Sequence, residues 1–550
     1  MALFVPPVLK VLMVTGAHTI RSLSHGFRNM FDEFNSTIVI SSSRIGSASL
    51  ADVSRLVRNI VVRSKSLSTL KVFRPWALQD SADFLSLLTS LPTPEALLTL
   101  KLAHCGLLLG PGGEKSLVSN LPMLTGLREL DLSANLLGPA DLTSLLPSLM
   151  ALKSLVTLDL SRNLLEAASA APSSLALLSM NLSGLSELYI AANNLGHAGA
   201  AALAPSLMLL TGLRTLDISN NAIGSAGAAS LAPSLMLLTG LNALDISSNA
   251  IGPAGVASLA PSLAVLTGLR LLKLSSNAFG KAGANSLGPA LKGLTGLHTL
   301  TISMNGIGPE GAACIAPVLS LLTELRTLRL SENVLGMAGA SSLAPYLTML
   351  TKLQSLFFSR NDFGSLGMTF FAPSLVFLMG LRELHLSSNA MGPNGAKIFA
   401  PFLMALTGLQ ELHLENNRLG PIGTAHLAPP LMMLTRLRKL NLSSNELGPA
   451  AAISLAPALS NLTGLCVLSL SINNLGPTGA ACLAPSLICL TRLRMLDLSF
   501  NDLGAAGAAS LGPSIMKLVN LIEPVFSYRD TGETSSDESE SSSEGGYCSR

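Results

Sequence analysis

The sequence is poor in aromatic and charged residues. Phe, Trp and Tyr make up 4% of its 550 residues, charged residues make up 12%, and the formal net charge is only +3. Nucleic-acid-binding domains typically combine a clustered basic surface with aromatic side chains that stack on bases. We therefore expect no nucleic-acid partner.

Long uninterrupted hydrophobic runs are also missing, although 49% of the residues are hydrophobic. The densest run, 370–381, contains Pro373 and Ser374. A membrane-spanning helix needs about 20 apolar residues. We therefore expect no membrane partner, and we assign this run to a protein core.

The six cysteines lack the paired spacing of a disulfide framework or a zinc site. Cys314 and Cys482 are interpreted as small buried apolar residues. We expect no metal and no cofactor. Unpaired thiols favour a reducing compartment, so we expect a cytoplasmic protein, with a nuclear location as the alternative.

What the sequence has in abundance is a 28-residue repeat. Asparagine recurs at this interval from Asn193 to Asn501, and Asn163 and Asn135 extend the series at intervals of 30 and 28 residues. The frame is L-x-x-L-x-L-x-x-N-x-L-G, as in 213–224. Its alternating leucines predict a short strand. An asparagine amide both donates and accepts, so a column of them can satisfy backbone groups in neighbouring turns.

The second half of each repeat has apolar residues spaced three and four apart, which predicts a helix. A proline recurs in the middle of this segment, as at Pro205 and Pro233. Proline lacks a backbone N–H and disfavours helical geometry in the residue before it. We therefore expect each helix to be kinked or split at its proline.

The repeat resembles the ribonuclease-inhibitor-like class of leucine-rich repeats over roughly 97–521. This resemblance implies an α/β leucine-rich repeat solenoid, with a parallel concave sheet and convex helices. Strands lie about 4.8 Å apart but helices need about 8–10 Å, so stacking is expected to bend the array into a horseshoe. We divide the chain into an N-terminal cap with degenerate repeats (1–96), an array of about 15 units (97–522) and a disordered, acidic, Ser-rich tail (523–550).

The residue between the second and third leucine of the frame is expected to face the concave side. It is usually Asp in the early repeats, but this pattern ends at Arg329, and the following repeats carry Phe357, His385, His413 and Asn441. Mixed charge around an aromatic residue is typical of a protein-recognition surface, and a solvated face that varies freely is the alternative. The candidate binding residues are Arg329, Phe357, Arg360, Glu383, His385, Glu411, His413, Glu415 and Lys439.

His385 and His413, flanked by Glu383 and Glu411, also raise the alternative of a metal site. The sequence shows no third and fourth ligand on rigid geometry, so we predict no metal there.

No nucleophile–base pair, phosphate loop or paired-acid motif stands out, and the glycines recur in every repeat for turn geometry. The sequence therefore predicts a non-enzymatic protein–protein interaction scaffold that binds a partner protein on the concave face. An alternative comes from a second resemblance. Ran GTPase activators have similar repeats followed by an acidic tail, which would make a small GTPase the partner. A third resemblance, to the repeats of innate-immune receptors, implies a ligand-sensing surface.

Overall fold

The computed structural model describes residues 37–41, 67–73, 91, 93–105, 113–166, 175 and 182–525. The chain divides into two compact units, Met1–Ala390 and Met391–Arg550. Most of the predicted N-terminal cap and residues 526–550 of the predicted tail lie outside the described residues.

Short strands alternate with helices along both units. The described strands of the first unit are β1 (Thr37–Ser41), β2 (Thr69–Phe73), β3 (Thr99–Lys101), β4 (Glu129–Asp131), β5 (Thr157–Asp159), β6 (Glu187–Tyr189), β7 (Thr215–Asp217), β8 (Ala243–Asp245), β9 (Leu271–Lys273), β10 (Thr299–Thr301), β11 (Thr327–Arg329), β12 (Ser355–Phe357) and β13 (Glu383–His385). Those of the second unit are β14 (Glu411–His413), β15 (Lys439–Asn441), β16 (Val467–Ser469), β17 (Met495–Asp497) and β18 (Glu523–Val525).

The helices follow the strands at the repeat period. In the first unit they are α1 (Gly113–Asn120), α2 (Pro139–Ala151), α3 (Gly196–Leu209), α4 (Gly224–Leu235), α5 (Gly252–Val265), α6 (Gly280–Leu291), α7 (Gly308–Leu319), α8 (Gly336–Leu347) and α9 (Gly364–Ser374). In the second unit they are α10 (Gly392–Leu403), α11 (Gly420–Met433), α12 (Gly448–Asn461), α13 (Gly476–Leu487) and α14 (Gly504–Ile515). Among the described residues, no helix is long and apolar enough to cross a membrane.

Within each unit, consecutive strands pair in parallel with their central leucines in register. Leu216 of β7 lies opposite Leu244 of β8, for example. The same register extends to the N-terminal strands, where Ile38 lies opposite Leu70 and Leu70 opposite Leu100. The predicted fold, a leucine-rich repeat solenoid of alternating strands and helices, is confirmed.

The core of each repeat lies between the strand and the following helix. Leu216 of β7 is fully buried, and so are Leu231 and Leu235 of α4. The apolar run 370–381 was expected to be core, but this is only partly right. Phe371 is fully buried, whereas Phe370 and Phe377 are about half exposed (46% and 52%).

The prediction was that each helix is kinked or split at its proline. Splitting is wrong, whereas kinking stays a prediction. Helix α3 runs through Pro205, and α4 runs through Pro233. A proline removes the hydrogen bond to the carbonyl four residues earlier. In these helices that carbonyl belongs to Ala201 or Ala229, and both the alanines and the prolines are exposed. Water can therefore bond the orphaned carbonyl, which removes most of the penalty.

The predicted ladder of buried asparagines is confirmed. The Asn333 side-chain oxygen accepts the backbone N–H of Asn305 (3.0 Å), and the Asn333 N–H donates to the side-chain oxygen of Asn361 (2.9 Å). The Asn333 amide nitrogen also donates to the carbonyls of Ile302 and Leu330, both at 2.9 Å. Each turn is thus tied to the next by a side chain that is fully buried.

Candidate functional site

In the early repeats, the aspartate at the last position of the strand shapes its own turn. The Asp217 carboxylate accepts hydrogen bonds from the backbone N–H (2.9 Å) and the hydroxyl (2.7 Å) of Ser219. Asp131 binds Ser133 in the same way, at 2.9 and 2.6 Å. This is an Asx-type turn that fixes the direction of the chain as it leaves the strand. Sequence reasoning missed this role, although the serine two residues after the aspartate signalled it.

The same part of the sheet is acidic and partly desolvated. Burial raises the pKa of Asp159 and of Asp217, while hydrogen bonds from Ser161 and Ser219 lower it in part. Burial and the nearby Glu187 carboxylate raise the pKa of Tyr189 to about 12. The Tyr189 hydroxyl donates to Glu187 Oε2 at 3.2 Å. These polar groups are therefore largely satisfied by one another.

Further along the first unit, three candidate residues form a stack across adjacent strands. Arg329, Phe357 and His385 lie opposite one another in β11, β12 and β13. The Arg329 guanidinium carbon is 3.5 Å from the Phe357 ring centroid, a cation–π contact. The Phe357 and His385 rings stack with centroids 4.1 Å apart at 24°. Burial lowers the pKa of Arg329, and the charge of Glu383 opposes that shift.

The stack changes how Phe357 is presented. The ring is half-buried, because Arg329 and His385 come from the strands on its two sides. Sequence reasoning found the residues but could not show that they cover one another. Arg360, three residues after Phe357, lies 3.7 Å from Glu332 in an exposed ion pair. The first unit therefore presents a preassembled group of cationic and aromatic side chains.

The second unit holds the other four candidate residues. Lys439 Nζ lies 2.9 Å from Glu411 Oε1. His413 lies 3.8 Å from Glu411 Oε2 and 3.9 Å from Glu415 Oε2. The Glu415 Oε2 atom is buried and accepts no hydrogen bond. The structure thus brings Glu411, His413, Glu415 and Lys439 together as one charged cluster.

A chain of hydroxyl groups follows in the second unit. Ser443 and Ser469 hydroxyls lie 2.7 Å apart, and Ser471 donates to Ser443 at 3.0 Å. Ser469 donates to Asp497 Oδ2 at 3.2 Å. Sequence reasoning did not find this network, because serine is too common in the repeats to be a signal.

The repeat pattern is shared with a known family. Six segments match the family model for the leucine-rich repeat, at residues 211–232, 239–260, 295–316, 380–400, 434–456 and 490–512. The chain carries leucine-rich repeats. A search of curated proteins gives no match. Among solved structures, an internalin (inlF) from Listeria monocytogenes is similar at 19% identity over 69% of this chain and 83% of that chain, with a TM-score of 0.36.

The repeat that begins at Leu97 has Cys105 where later repeats have the ladder asparagine. Its backbone N–H still donates to Asn135 Oδ1 at 2.9 Å. Burial, with a smaller effect of the Asp131 charge, raises the pKa of the Cys105 thiol to about 12. Cys314 and Cys482 are only half-buried, so the expectation that they are buried is wrong.

Proposed function

We propose that this protein is a non-enzymatic scaffold that binds a partner protein on the concave face of its leucine-rich repeats. Solenoids of this type commonly present extended concave surfaces for binding. The observation that carries the proposal is the stack of Arg329, Phe357 and His385. In the early repeats the same position holds an aspartate that serves its own turn, whereas arginine and phenylalanine cannot accept those hydrogen bonds.

The stack has the chemistry of an interface hot spot. Arginine and aromatic side chains are enriched among residues that dominate binding energy. Here Phe357 and Arg329 are already held against each other, so binding would cost less side-chain entropy than ordering two free side chains. The charges of Glu383 and Arg360 nearby would then favour one orientation of the partner. The Glu411–Lys439 cluster of the second unit offers a further charged contact.

A photo-crosslinking amino acid at position 357 tests the site directly. We expect it to crosslink a partner in cells, whereas the same amino acid at position 189 does not. Tyr189 is a matched control because it is aromatic, half-buried and at the same position of the repeat. If both positions crosslink equally, or neither does, the stack is not the partner site.

Titration of the captured partner then measures the contribution of the stack. Phe357→Ala is expected to weaken binding by more than about 1 kcal/mol, as interface aromatics commonly do. Tyr189→Ala should leave the affinity unchanged. Equal losses for the two variants would contradict the proposal. If the partner is a small GTPase, GTP hydrolysis with and without this protein tells a scaffold from a GTPase activator.

A further inference from the structure

The end of each helix and the loop that leads to the next strand expose apolar side chains. We call these segments the rim. In the first unit the rim comprises residues 208–214, 236–242, 264–270, 292–298, 320–326, 348–354 and 376–382. Leu209 is 62% exposed. Val265 and Met349, at the same position two and five repeats later, are exposed as well. The exposed apolar residues of this rim are Met208, Leu209, Met236, Leu237, Val265, Leu321, Met349, Val376, Phe377 and Met379.

The same rim is strongly basic. Its seven segments contain six basic residues and one acidic residue, a formal balance of +5, whereas the whole chain carries +3. The basic residues are Arg214, Arg270, Lys292, Arg326, Lys352 and Arg382. The acidic residue, Glu324, forms an ion pair with Lys352. The rim is therefore more basic than the chain as a whole.

Backbone hydrogen bonds hold the rim charges in one column. The Asn242 N–H donates to the Arg214 carbonyl (2.7 Å), and the Arg270 N–H donates to the Asn242 carbonyl (2.8 Å). His298 and Arg326 continue the column, at 2.8 Å in each case. Partial burial, together with the charges of Arg326 and Arg270, lowers the pKa of His298. The cations of the column are thus close enough to act on one another.

The rim of the second unit repeats this composition. Its segments 404–410, 432–438, 460–466, 488–494 and 516–522 contain no acidic residue. Their basic residues are Arg436, Arg438, Arg492, Arg494 and Lys517. Met404, Met433, Met516 and Val519 are among the exposed apolar residues there. Two units with different concave faces therefore share one kind of rim.

We propose that the rim docks on anionic lipid bilayers. Apolar side chains such as Leu209 and Met349 would enter the boundary between head groups and acyl chains, and the arginines would face anionic head groups. Nucleic acid would account for the arginines but leave the apolar stripe exposed to water. An apolar protein groove would account for the stripe but leave the arginines unpaired. The surface of an anionic bilayer can bind both the arginines and the apolar side chains. Such binding requires no membrane-spanning segment. The expectation of no membrane partner was based only on the absence of such a segment.

Vesicle co-sedimentation of the full chain tests this. We expect binding to vesicles of phosphatidylcholine mixed with phosphatidylserine, and little binding to phosphatidylcholine alone. Replacing Arg214, Arg270 and Arg326 by Gln should weaken binding by about 100-fold, since each basic residue near an anionic surface contributes roughly fivefold. High salt should have the same effect.

The apolar part of the rim needs its own variant and control. Replacing Leu209, Leu237 and Met349 by Ser should also weaken binding to the mixed vesicles. The control replaces three apolar residues outside the rim that are equally exposed. These are Met304, Val334 and Leu366, which are 51%, 60% and 62% exposed. The control variant should bind as the unaltered protein does.

Three results would overturn the proposal. One is an unaltered protein that does not bind the mixed vesicles. Another is an equal loss for the rim variants and the control. The third is self-association of the unaltered protein, measured by light scattering, which is abolished in the rim variants, while neither the unaltered protein nor any variant binds vesicles. That last outcome would assign the rim to a second copy of the chain.

Discussion

The asparagine ladder allows the energetic role of one hydrogen bond to be isolated. In Asn333→Ala, each of the three carbonyls that the Asn333 amide nitrogen bonds keeps another donor. The Ser331 carbonyl, bonded at 3.3 Å, also accepts the backbone N–H of Met304. The Ile302 carbonyl also accepts from the side chain of Asn305 (3.0 Å), and the Leu330 carbonyl also accepts from that of Asn361 (2.9 Å). The group left without a partner is the backbone N–H of Asn305. Within the ladder, this N–H donates only to the side-chain oxygen of Asn333.

Leaving a buried donor unpaired costs about 1–3 kcal/mol, whereas weakening a shared acceptor costs less. We therefore expect Asn333→Ala to destabilise the protein by about 1–3 kcal/mol. Most of this cost arises at the Asn305 N–H. Hydrogen exchange of that amide should accelerate more than that of amides in distant repeats, because solenoid repeats open locally.

Asn193 provides the matched control. It is as deeply buried as Asn333, and its amide donates to the carbonyls of Leu160 and Ile190. Those carbonyls also keep second donors, from Asn163 and Asn221. The Asn193 side-chain oxygen, however, accepts no hydrogen bond.

Asn193→Ala therefore removes comparable donors without orphaning a backbone N–H, and it should cost clearly less. Urea denaturation of both variants, monitored by circular dichroism, measures the difference. Equal losses, or a larger loss for Asn193→Ala, would refute the reasoning.

Two further predictions concern titratable groups. Burial raises the pKa of Asp159 and Asp217, so in the pH range between the unfolded and folded values the folded state holds protons that the unfolded state has released. Their contribution to unfolding free energy should increase as pH falls through the folded pKa and be complete below the unfolded value of about 4. Replacing both by Asn should abolish this contribution in urea midpoints measured from neutral to acid pH, and an unchanged pH profile would contradict it. Because burial raises the pKa of Cys105 to about 12, iodoacetamide should modify it far more slowly than Cys314 in the native protein. Mass spectrometry that finds equal rates would refute this.

The sequence was sufficient to predict the strands, the helices and the asparagine ladder. Each depends on a periodic requirement, either burial of leucine or pairing of backbone groups, that repeats every 28 residues. The helix-splitting prediction failed for a different reason. Helix α3 continues through Pro205, and Ala201, whose carbonyl loses its partner, is exposed. The exposure of one residue cannot be read from composition.

The candidate site was predicted less completely. The sequence placed Arg329, Phe357 and His385 at equivalent positions, but the stack depends on ring orientation and on distances of a few ångströms. The Asp217–Ser219 turn was visible in the sequence, but the aspartate was noted only as the usual residue of the early repeats. Its function is local, and a search for departures between repeats overlooks what all repeats share.

Recurrence in a repeat protein has two different physical meanings, which burial separates. Asn333 recurs and is fully buried, so its recurrence reflects a hydrogen-bonding requirement that every turn must meet. Apolar and basic residues such as Leu209 and Arg214 also recur along the rim, but they are exposed. No hydrogen-bonding requirement of the fold explains their recurrence. An exposed apolar residue adds nothing to the core of its own repeat. Repeated along the solenoid, however, weak contacts of this kind sum to a strong interaction with an extended surface. The rim varies little in character between repeats. It is therefore a better candidate for binding an extended surface than the face of the sheet, where a single stack distinguishes one region.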